Sequence, residues 1–213
     1  MRLHAQILSL NMDSSKFFAL IPAAGQSHRM GQPKLLMPWQ GRRVIDSVLN
    51  AWTNSLATRV LVVLRNEDAE LIQACRKWAV DIVPLKQPTA DMKGSILAGL
   101  EQIANQCSPL YTDQILIAPA DLPRISTELI DQVARSKSSD KIVVPYFCEK
   151  RGHPIRIPWK LTQLIRTLGQ SEGLNTLIES NPISRVKISP DLRPRDIDTP
   201  EDYHREIQHE KLG

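Results

Sequence analysis

Short apolar runs alternate with amphipathic segments along most of the chain. Continuous apolar runs, typical of strands buried on both faces, occupy residues 17–21, 59–64, 80–84, 114–118 and 141–145. Segments with apolar residues at helical spacing lie between them, at 43–52, 66–78, 93–105 and 126–133. This alternation predicts an α/β fold with a doubly wound, mostly parallel sheet and helices on both faces. Such sheets bind their ligands beyond the carboxyl ends of the strands.

The last third of the chain has a different pattern, made of short segments of mixed type. These are a β-type run at 155–157, helical spacing at 159–168 and 172–179, and a short strand at 184–188. Thr199 can cap a final helix, with Pro200 in its first position and Asp202 completing a capping box. We interpret this C-terminal segment as a cover over the open edge of the ligand site.

The sequence is consistent with one domain. A chain of 213 residues has the usual length of a single domain, and no internal repeat, low-complexity tract or linker divides it. We place this domain at residues 17–213. Residues 1–16 are only weakly apolar and lack a signal-peptide core, so we expect them to form a disordered N-terminal extension.

Composition argues against several functional classes. The net charge is +4 without a Lys/Arg block, and aromatic residues make up 5%, which argues against a nucleic-acid partner. No apolar run approaches the roughly 18 residues of a membrane span, so we expect no membrane partner. Cys75, Cys107 and Cys148 form neither a zinc motif nor a disulfide framework, which favours free thiols and a cytoplasmic location.

A basic loop of small residues follows the first predicted strand. It carries Gly25, Arg29, Gly31 and Lys34, and no acidic residue occurs from 15 to 45. Backbone N–H groups can approach an anion where side chains are small, and Arg and Lys supply charge. A solvated surface turn is the alternative, but the charge asymmetry directly after a strand favours a polyanion site. Neither G-x-x-x-x-G-K-[ST] nor G-x-G-x-x-G occurs, which disfavours a P-loop protein and a dinucleotide oxidoreductase.

Asp121 is a candidate ligand for a cation. It directly follows the predicted strand at 114–118 and is flanked by Pro119 and Pro123. An exposed aspartate at a strand end suits a hard Mg²⁺ ion that bridges phosphates. The alternative is a turn aspartate before the helix that begins near Ser126, and the residues alone leave both interpretations open.

Residues 23–34 read A-A-G-x-S-x-R-M-G-x-x-K. This pattern strongly resembles the signature of the nucleotidyltransferases related to the molybdenum cofactor guanylyl- and cytidylyltransferases. The resemblance extends from Phe17 to Tyr203 and implies a Rossmann-like nucleotidyltransferase fold with a C-terminal cover on the acceptor side. It also implies that the loop wraps a nucleoside triphosphate. The implied nucleotide-binding residues are Ala23, Ala24, Gly25, Ser27, Arg29, Lys34 and Ser95, the last from S-I-L-A-G-L at 95–100.

Three further motifs resemble the same family. P-A-D-L-P at 119–123 resembles its metal-binding segment, which implies that Asp121 is a metal ligand. D-I-D-T-P-E-D at 196–202 implies that Asp198 is the second metal carboxylate, although acids before a helix are favourable in any case. G-H-P at 152–154 implies that His153 binds the acceptor. Within this resemblance, Arg29, Lys34 and Asp121 are the catalytic residues.

The implied activity is Mg²⁺-dependent transfer of a nucleotide from an NTP to a phosphate-bearing acceptor, with release of pyrophosphate. The Ala-Ala-Gly opening resembles the cytidylyltransferase branch, because guanylyltransferases usually open Ala-Gly-Gly. CTP and the molybdopterin cofactor are therefore the expected substrates, and a transient contact with a molybdoenzyme or its chaperone would follow. Two alternatives stay open: a sugar phosphate or other phosphometabolite as acceptor, and a nucleotide- or cofactor-binding protein without transferase activity.

Overall fold

A mixed sheet of eight strands runs through the centre of the molecule. The computed structural model describes residues 15–87, 89, 91–169 and 172–210. Residues 1–14 of the expected N-terminal extension thus lie outside the described residues. The strands in chain order are β1 (Phe17–Pro22), β2 (Pro38–Trp39), β3 (Arg42–Arg43), β4 (Arg59–Arg65), β5 (Asp81–Leu85), β6 (Gln114–Ile117), β7 (Ile142–Phe147), β8 (Lys150–Arg151), β9 (Ile155–Pro158) and β10 (Ile183–Ile188).

The order of strands in the sheet brings the carboxyl ends of strands that are distant in sequence to the same end of the sheet. It is β10-β7-β9-β6-β1-β4-β5, with β8 paired to β7, while β2 and β3 form a separate two-stranded sheet. β1 lies parallel to both β4 and β6, and β4 lies parallel to β5. The carboxyl ends of these four strands therefore point the same way. This arrangement confirms the predicted mostly parallel α/β sheet.

Helices cover both faces of the sheet. They are α1 (Val44–Thr53), α2 (Ala69–Cys75), α3 (Met92–Cys107), α4 (Thr127–Ala134), α5 (Gln163–Thr167), α6 (Leu174–Glu179) and α7 (Pro200–Glu210). The side chains of β1 alternate between two cores: Ala19 and Ile21 pack with α1 and α4, whereas Phe18 and Leu20 pack with α3. This division confirms the doubly wound arrangement. Within the described ranges, no helix combines the length and the apolar character needed to cross a bilayer.

Gly99 allows α3 to lie close to the central strand. A Cβ atom added at Gly99 would come within 2.2 Å of Leu20 Cδ1, and Leu20 is completely buried. Any larger side chain would push the helix away from β1, or displace Leu20 in a close-packed core. The glycine of the S-I-L-A-G-L motif is thus explained by packing, while Ser95 at the start of the same helix faces the site.

The β-type run predicted at 155–157 forms β9, but it lies inside the sheet. β9 is inserted between β6 and β7 and runs antiparallel to both. It carries Arg156, whose exposed fraction is only 2%. Burial lowers the pKa of Arg156 to about 10. A buried guanidinium is tolerated only where its N–H groups find acceptors, so the partners of this side chain matter for stability.

Main-chain carbonyls at and beyond the end of α4 provide acceptors for both Nη atoms, whereas the buried Nε has no hydrogen-bond partner among the described residues. Arg156 Nη1 donates to the carbonyl oxygens of Ala134 at 2.5 Å and Ser136 at 2.9 Å, and Nη2 donates to that of Ser138. The last carbonyls of a helix have no partners within the helix itself. Arg156 therefore caps α4 from the sheet and ties the helix to β9.

Replacing Arg156 with Met should destabilise the protein by about 2 kcal/mol, since charge-assisted hydrogen bonds to buried carbonyls are lost. Urea unfolding followed by circular dichroism measures the difference. Arg76→Met, at an exposed position after α2, serves as the control and should change the unfolding free energy by less than about 0.5 kcal/mol. Equal stability of Arg156→Met and the wild type would contradict the capping role.

Candidate active site

The basic loop begins at the carboxyl end of β1, in the middle of the sheet. The N–H of Ala23 donates to the carbonyl of Val63 at 2.8 Å, so the chain is still held to β4 as the loop starts. On the other side, the N–H of Ala120 donates to the carbonyl of Pro22 at 3.1 Å. The loop and the Asp121 turn are thus fixed side by side by main-chain bonds.

Two short 3-10 turns shape the loop, His28–Met30 and Lys34–Leu36. Met30 and Leu35 are buried and anchor these turns on the core. Ser27 has a φ of 52°, in the left-handed region that is uncommon for a residue with a side chain. Its hydroxyl accepts from the N–H of Lys34 at 3.4 Å and so closes the loop.

Gly25 lies at an open position of the loop. A Cβ atom added there would meet no other atom within 4 Å, so packing within the protein does not explain the glycine. A residue without a side chain allows a ligand to approach the backbone closely. This position therefore fits the predicted phosphate contact, which stays a prediction.

Lys34 is the centre of an ion cluster that joins three distant segments. Its Nζ lies 2.6 Å from Asp121 Oδ2 and 2.8 Å from Asp198 Oδ1, and only 12% of its side chain is exposed. Burial alone would lower the pKa of Lys34, but the carboxylates of Asp121 and Asp198 outweigh burial and raise it. Lys34 is therefore an ammonium. Arg29, which is 73% exposed, adds a second contact of 3.0 Å to Asp198 Oδ2.

Asp198 reaches this cluster because the segment before α7 is tied to the Asp121 turn. The N–H of Ile197 donates to the carbonyl of Asp121 at 3.1 Å, and the side chain of Ile197 is completely buried. The predicted capping box is confirmed: Thr199 N–H donates to Asp202 Oδ2 at 3.0 Å, and Asp202 N–H donates to Thr199 Oγ1 at 3.2 Å. The helix start thus positions Asp198 without using Asp198 as its cap.

A cavity of about 430 Å³ opens between the loop and the start of α3. Ser95 is buried at its wall and shares a hydrogen bond of 3.3 Å with Thr89. Ser27, Arg29, Asp198 and His153 are not among the lining residues. Six of the residues predicted for the site line the cavity together: Ala23, Ala24, Gly25, Lys34, Ser95 and Asp121.

Sequence reasoning missed Arg65, which lines the same cavity from the end of β4. Asp68 holds its guanidinium with two bonds, of 2.9 Å from Nε and 2.6 Å from Nη2. Arg65 also lines a second cavity of about 600 Å³ under the loop. Its position at the carboxyl end of β4, beside β1, could have indicated a site residue. An arginine after an apolar run, however, usually indicates only that the strand ends in solvent.

Asp91 and His28 also line the first cavity and were not predicted as site residues. Asp91 is the N-cap of α3, since its Oδ1 accepts from the N–H of Gly94 at 3.0 Å. His28 lies in the first turn of the loop and contacts Gln26. The loop therefore presents an imidazole as well as Arg29 and Lys34.

Residues 19–186 match the family model of the MobA-like NTP transferase domain. The chain belongs to the MobA-like NTP transferase family. The predicted resemblance and the nucleotidyltransferase class are thereby confirmed.

The chain is similar to two curated relatives and to two solved structures. A probable molybdenum cofactor guanylyltransferase of Bacillus cereus (strain AH187) is 25% identical over 160 residues, covering 74% of this chain and 76% of the relative. The purine catabolism protein PucB of Bacillus subtilis (strain 168) is 28% identical over 207 residues, covering 90% and 96%. The fold resembles that of Rv0371c from Mycobacterium tuberculosis H37Rv, with a TM-score of 0.77 at 20% identity over 92% of this chain and 99% of that chain. A complex of Rv0371C with manganese has a TM-score of 0.74 at 18% identity, covering 91% and 99%.

The carboxylates of this MobA-like site fit a hard divalent cation. Asp121 Oδ2 and Asp198 Oδ1 both bond the same ammonium, so the two carboxylates lie close enough to share one cation. Asp121 Oδ1 is buried and has no hydrogen-bond partner, so an acceptor remains available. Within the described part of the chain, no group of three or more His, Cys, Asp or Glu side chains could hold a metal. A cation here would need further ligands from its substrate, as is common for Mg²⁺.

His153 lies beside this site rather than in the cavity. It precedes β9, and its half-buried ring places Nδ1 away from solvent without a hydrogen-bond partner. Burial lowers the pKa of His153, although the backbone of Ile117 and the charges of Asp121 and Asp196 act in the opposite direction. The predicted contact of His153 with the acceptor stays a prediction.

Removing the carboxylate of the capping box should produce a stability loss that depends on pH. The hydroxyl of Thr199 first, and then the Thr199 N–H and Arg205, lower the pKa of Asp202 below 3.8 in the folded protein. The ionised Asp202 carboxylate therefore contributes to the unfolding free energy at neutral pH, and this contribution is lost as the pH falls below 3.8. Asp202→Ala should lower the unfolding free energy by about 1 kcal/mol at pH 7.

The same difference should shrink when urea unfolding is repeated toward pH 3. Asp140→Ala, an exposed position, is the matched control and should show no such trend. A stability loss for Asp202→Ala that is constant from pH 7 to pH 3 would mean that the ionised carboxylate contributes nothing.

Proposed function

We propose that this protein transfers a nucleotide from an NTP, with CTP preferred, to a phosphate of the molybdopterin cofactor and releases pyrophosphate. The observation that carries the proposal is the Lys34 cluster at the edge of the loop cavity, where two aspartates from different segments meet a buried ammonium. Such a site can hold a polyphosphate on one side and a cation on the other. Catalysis then consists of positioning and charge neutralisation, and no protein nucleophile is needed.

Each residue of the cluster has a distinct task in this transfer. The N–H groups around Gly25 and the side chains of Ser27 and Ser95 would bind the nucleotide, since small residues leave the backbone accessible. Arg29 can bond two phosphate oxygens as a planar fork, whereas Lys34 acts as a point charge. Both would stabilise the negative charge that increases on the leaving pyrophosphate while the acceptor phosphate attacks the α-phosphorus in line.

Asp121 and Asp198 would hold Mg²⁺. The bound ion would neutralise phosphate charge and orient the triphosphate for in-line attack. NTP transferases of this family generally use divalent metals, and the manganese complex of Rv0371C agrees with such a site.

The proposed acceptor substrate and the proposed nucleotide base are supported by different arguments. The names of the guanylyltransferase relatives favour the molybdenum cofactor as acceptor, and we keep His153 as the proposed acceptor-binding residue on the resemblance of G-H-P at 152–154. Ala24 lines the cavity, and by the resemblance guanylyltransferases usually have glycine at this position, whereas this chain has the Ala-Ala-Gly opening of the cytidylyltransferase branch. That argument favours CTP over GTP. A transient contact with a molybdoenzyme or its chaperone would deliver the product, and the free thiols of Cys75, Cys107 and Cys148 fit the reducing cytoplasm.

Pyrophosphate release by the purified protein tests the whole proposal. CTP, GTP, ATP and UTP are each incubated with Mg²⁺ and with molybdopterin cofactor, sugar phosphates or phospho-alcohols. We expect release with CTP and molybdopterin cofactor, because the Ala-Ala-Gly opening resembles the cytidylyltransferase branch and the names of the relatives favour the molybdenum cofactor. Faster release with GTP would overturn the base assignment, and faster release with a sugar phosphate would overturn the acceptor. Mg²⁺-dependent NTP binding without release from any pair would favour the binding-protein alternative.

Lys34→Ala and Asp121→Ala should each reduce turnover by at least about 100-fold, since each removes a charge that acts on the reacting phosphates. Circular dichroism should show an unchanged fold. The matched controls are Lys141→Ala and Asp140→Ala, because these exposed residues precede β7 at the opposite edge of the sheet and should keep normal rates. Near-normal turnover in either site variant would reject the assignment of the site.

A further inference from the structure

We propose that the Lys34 ammonium competes with the divalent cation for Asp121 and Asp198 and that a nucleoside triphosphate relieves this competition, so that metal and nucleotide bind cooperatively. This inference rests on the proposed function, because it concerns the same two carboxylates. It adds an order of binding. A cation that arrives alone meets carboxylates that Lys34 and Arg29 already neutralise, and the nucleotide draws Lys34 away from them.

The first argument is competition for the same oxygens. The carboxylates that would hold the cation, Asp121 and Asp198, are the two that bond Lys34, at 2.6 Å and 2.8 Å. The three side chains are mostly buried, with exposed fractions of 12%, 18% and 29%, so salt and water screen these contacts less than they would on the surface. A cation can therefore use these oxygens only if the ammonium moves or the contact lengthens.

The second argument concerns charge. The cluster contains two cations, Lys34 and Arg29, and two carboxylates, and is therefore neutral as a whole. A divalent cation that enters alone would leave a partly buried site with excess positive charge, which is unfavourable. A triphosphate that enters with the cation is anionic and gives Lys34 and Arg29 new partners, so the carboxylates become free for the metal.

The third argument is that the exchange requires only the Lys34 side chain to move. Its backbone is held by the N–H bond to Ser27 Oγ and by the buried Leu35 that follows it. Lys34 already lines the 430 Å³ cavity together with Gly25, so its flexible stem can swing from the carboxylates toward a ligand there. Because the site supplies only two carboxylates, the remaining metal ligands must come from phosphates or water, which also couples the two ligands.

Titration of the nucleotide-free protein with Mn²⁺, followed by the electron paramagnetic resonance of free Mn²⁺, tests the exchange directly. Lys34→Met should bind Mn²⁺ at least about tenfold more tightly than the wild type, because the competing charge is gone. Lys141→Met is the matched control and should bind as the wild type does. The tighter Mn²⁺ binding should disappear in the double variant Lys34→Met with Asp121→Asn. That loss would show that the additional affinity arises at this site. Equal or weaker binding by Lys34→Met would overturn the proposal.

A second measurement uses the wild-type protein and does not depend on how the variant folds. The rate at which an amine-selective acylating reagent labels Lys34 is followed by mass spectrometry across the same Mn²⁺ titration. Labelling should accelerate as the metal binds and displaces the ammonium, while labelling of Lys141 should not change. A Lys34 rate that is independent of bound metal would reject the exchange.

The two proposals fail separately. Metal-dependent release of Lys34 without pyrophosphate release from any pair of substrates would keep the exchange and reject the transfer. Pyrophosphate release together with identical Mn²⁺ affinities of the wild type and Lys34→Met would keep the transfer and reject the exchange.

Discussion

The bonds of the Lys34 ammonium to Asp121 and Asp198 are the constraint on which the site depends. A buried ammonium is stable only next to acceptors that compensate its lost hydration, and here both acceptors come from segments more than 80 residues away, with sequence separations of 87 and 164. The loop after β1, the turn after β6 and the segment before α7 must therefore converge. The same bonds bring Asp198, which does not line the loop cavity, next to Lys34 and Asp121, which do.

The sheet makes this convergence possible, and the C-terminal segment completes it. Parallel pairing of β1 with β6 places the loop and Asp121 at one edge, which is a consequence of topology alone. Asp198 has no strand to carry it there. It depends on the bond of Ile197 to Asp121 and on the capping box at the start of α7. Ile197 and the capping box lie beyond residues 19–186, where the family model matches, so the segment that positions Asp198 lies outside the matched domain.

Much of this architecture was predictable because its signals are local. Runs such as 59–64 favour buried strands wherever they occur, and the pattern Thr199-Pro200-Glu201-Asp202 determines a helix start within four residues. The place of β9 was not predictable, because an arginine in a short run suggests a strand facing water. Arg156 is buried only because carbonyls after α4 accept its N–H groups, and that contact is tertiary. The position of Arg65 in the cavity was missed for a related reason. The pattern of apolar runs and helical segments does not indicate that Arg65 pairs with Asp68.

The glycines of the two nucleotide motifs show why resemblance alone cannot assign roles. Gly25 and Gly99 belong to segments that the resemblance places near the nucleotide, yet Gly99 faces Leu20 in the core and Gly25 faces open space. A side chain at Gly99 would disturb the packing of α3 on β1, whereas a side chain at Gly25 would disturb nothing within the protein. Of these two glycines, only Gly25 is left without an explanation from packing within the protein. That open position lies beside Lys34 in the same cavity, which links the shape of the loop to the charge that the loop carries.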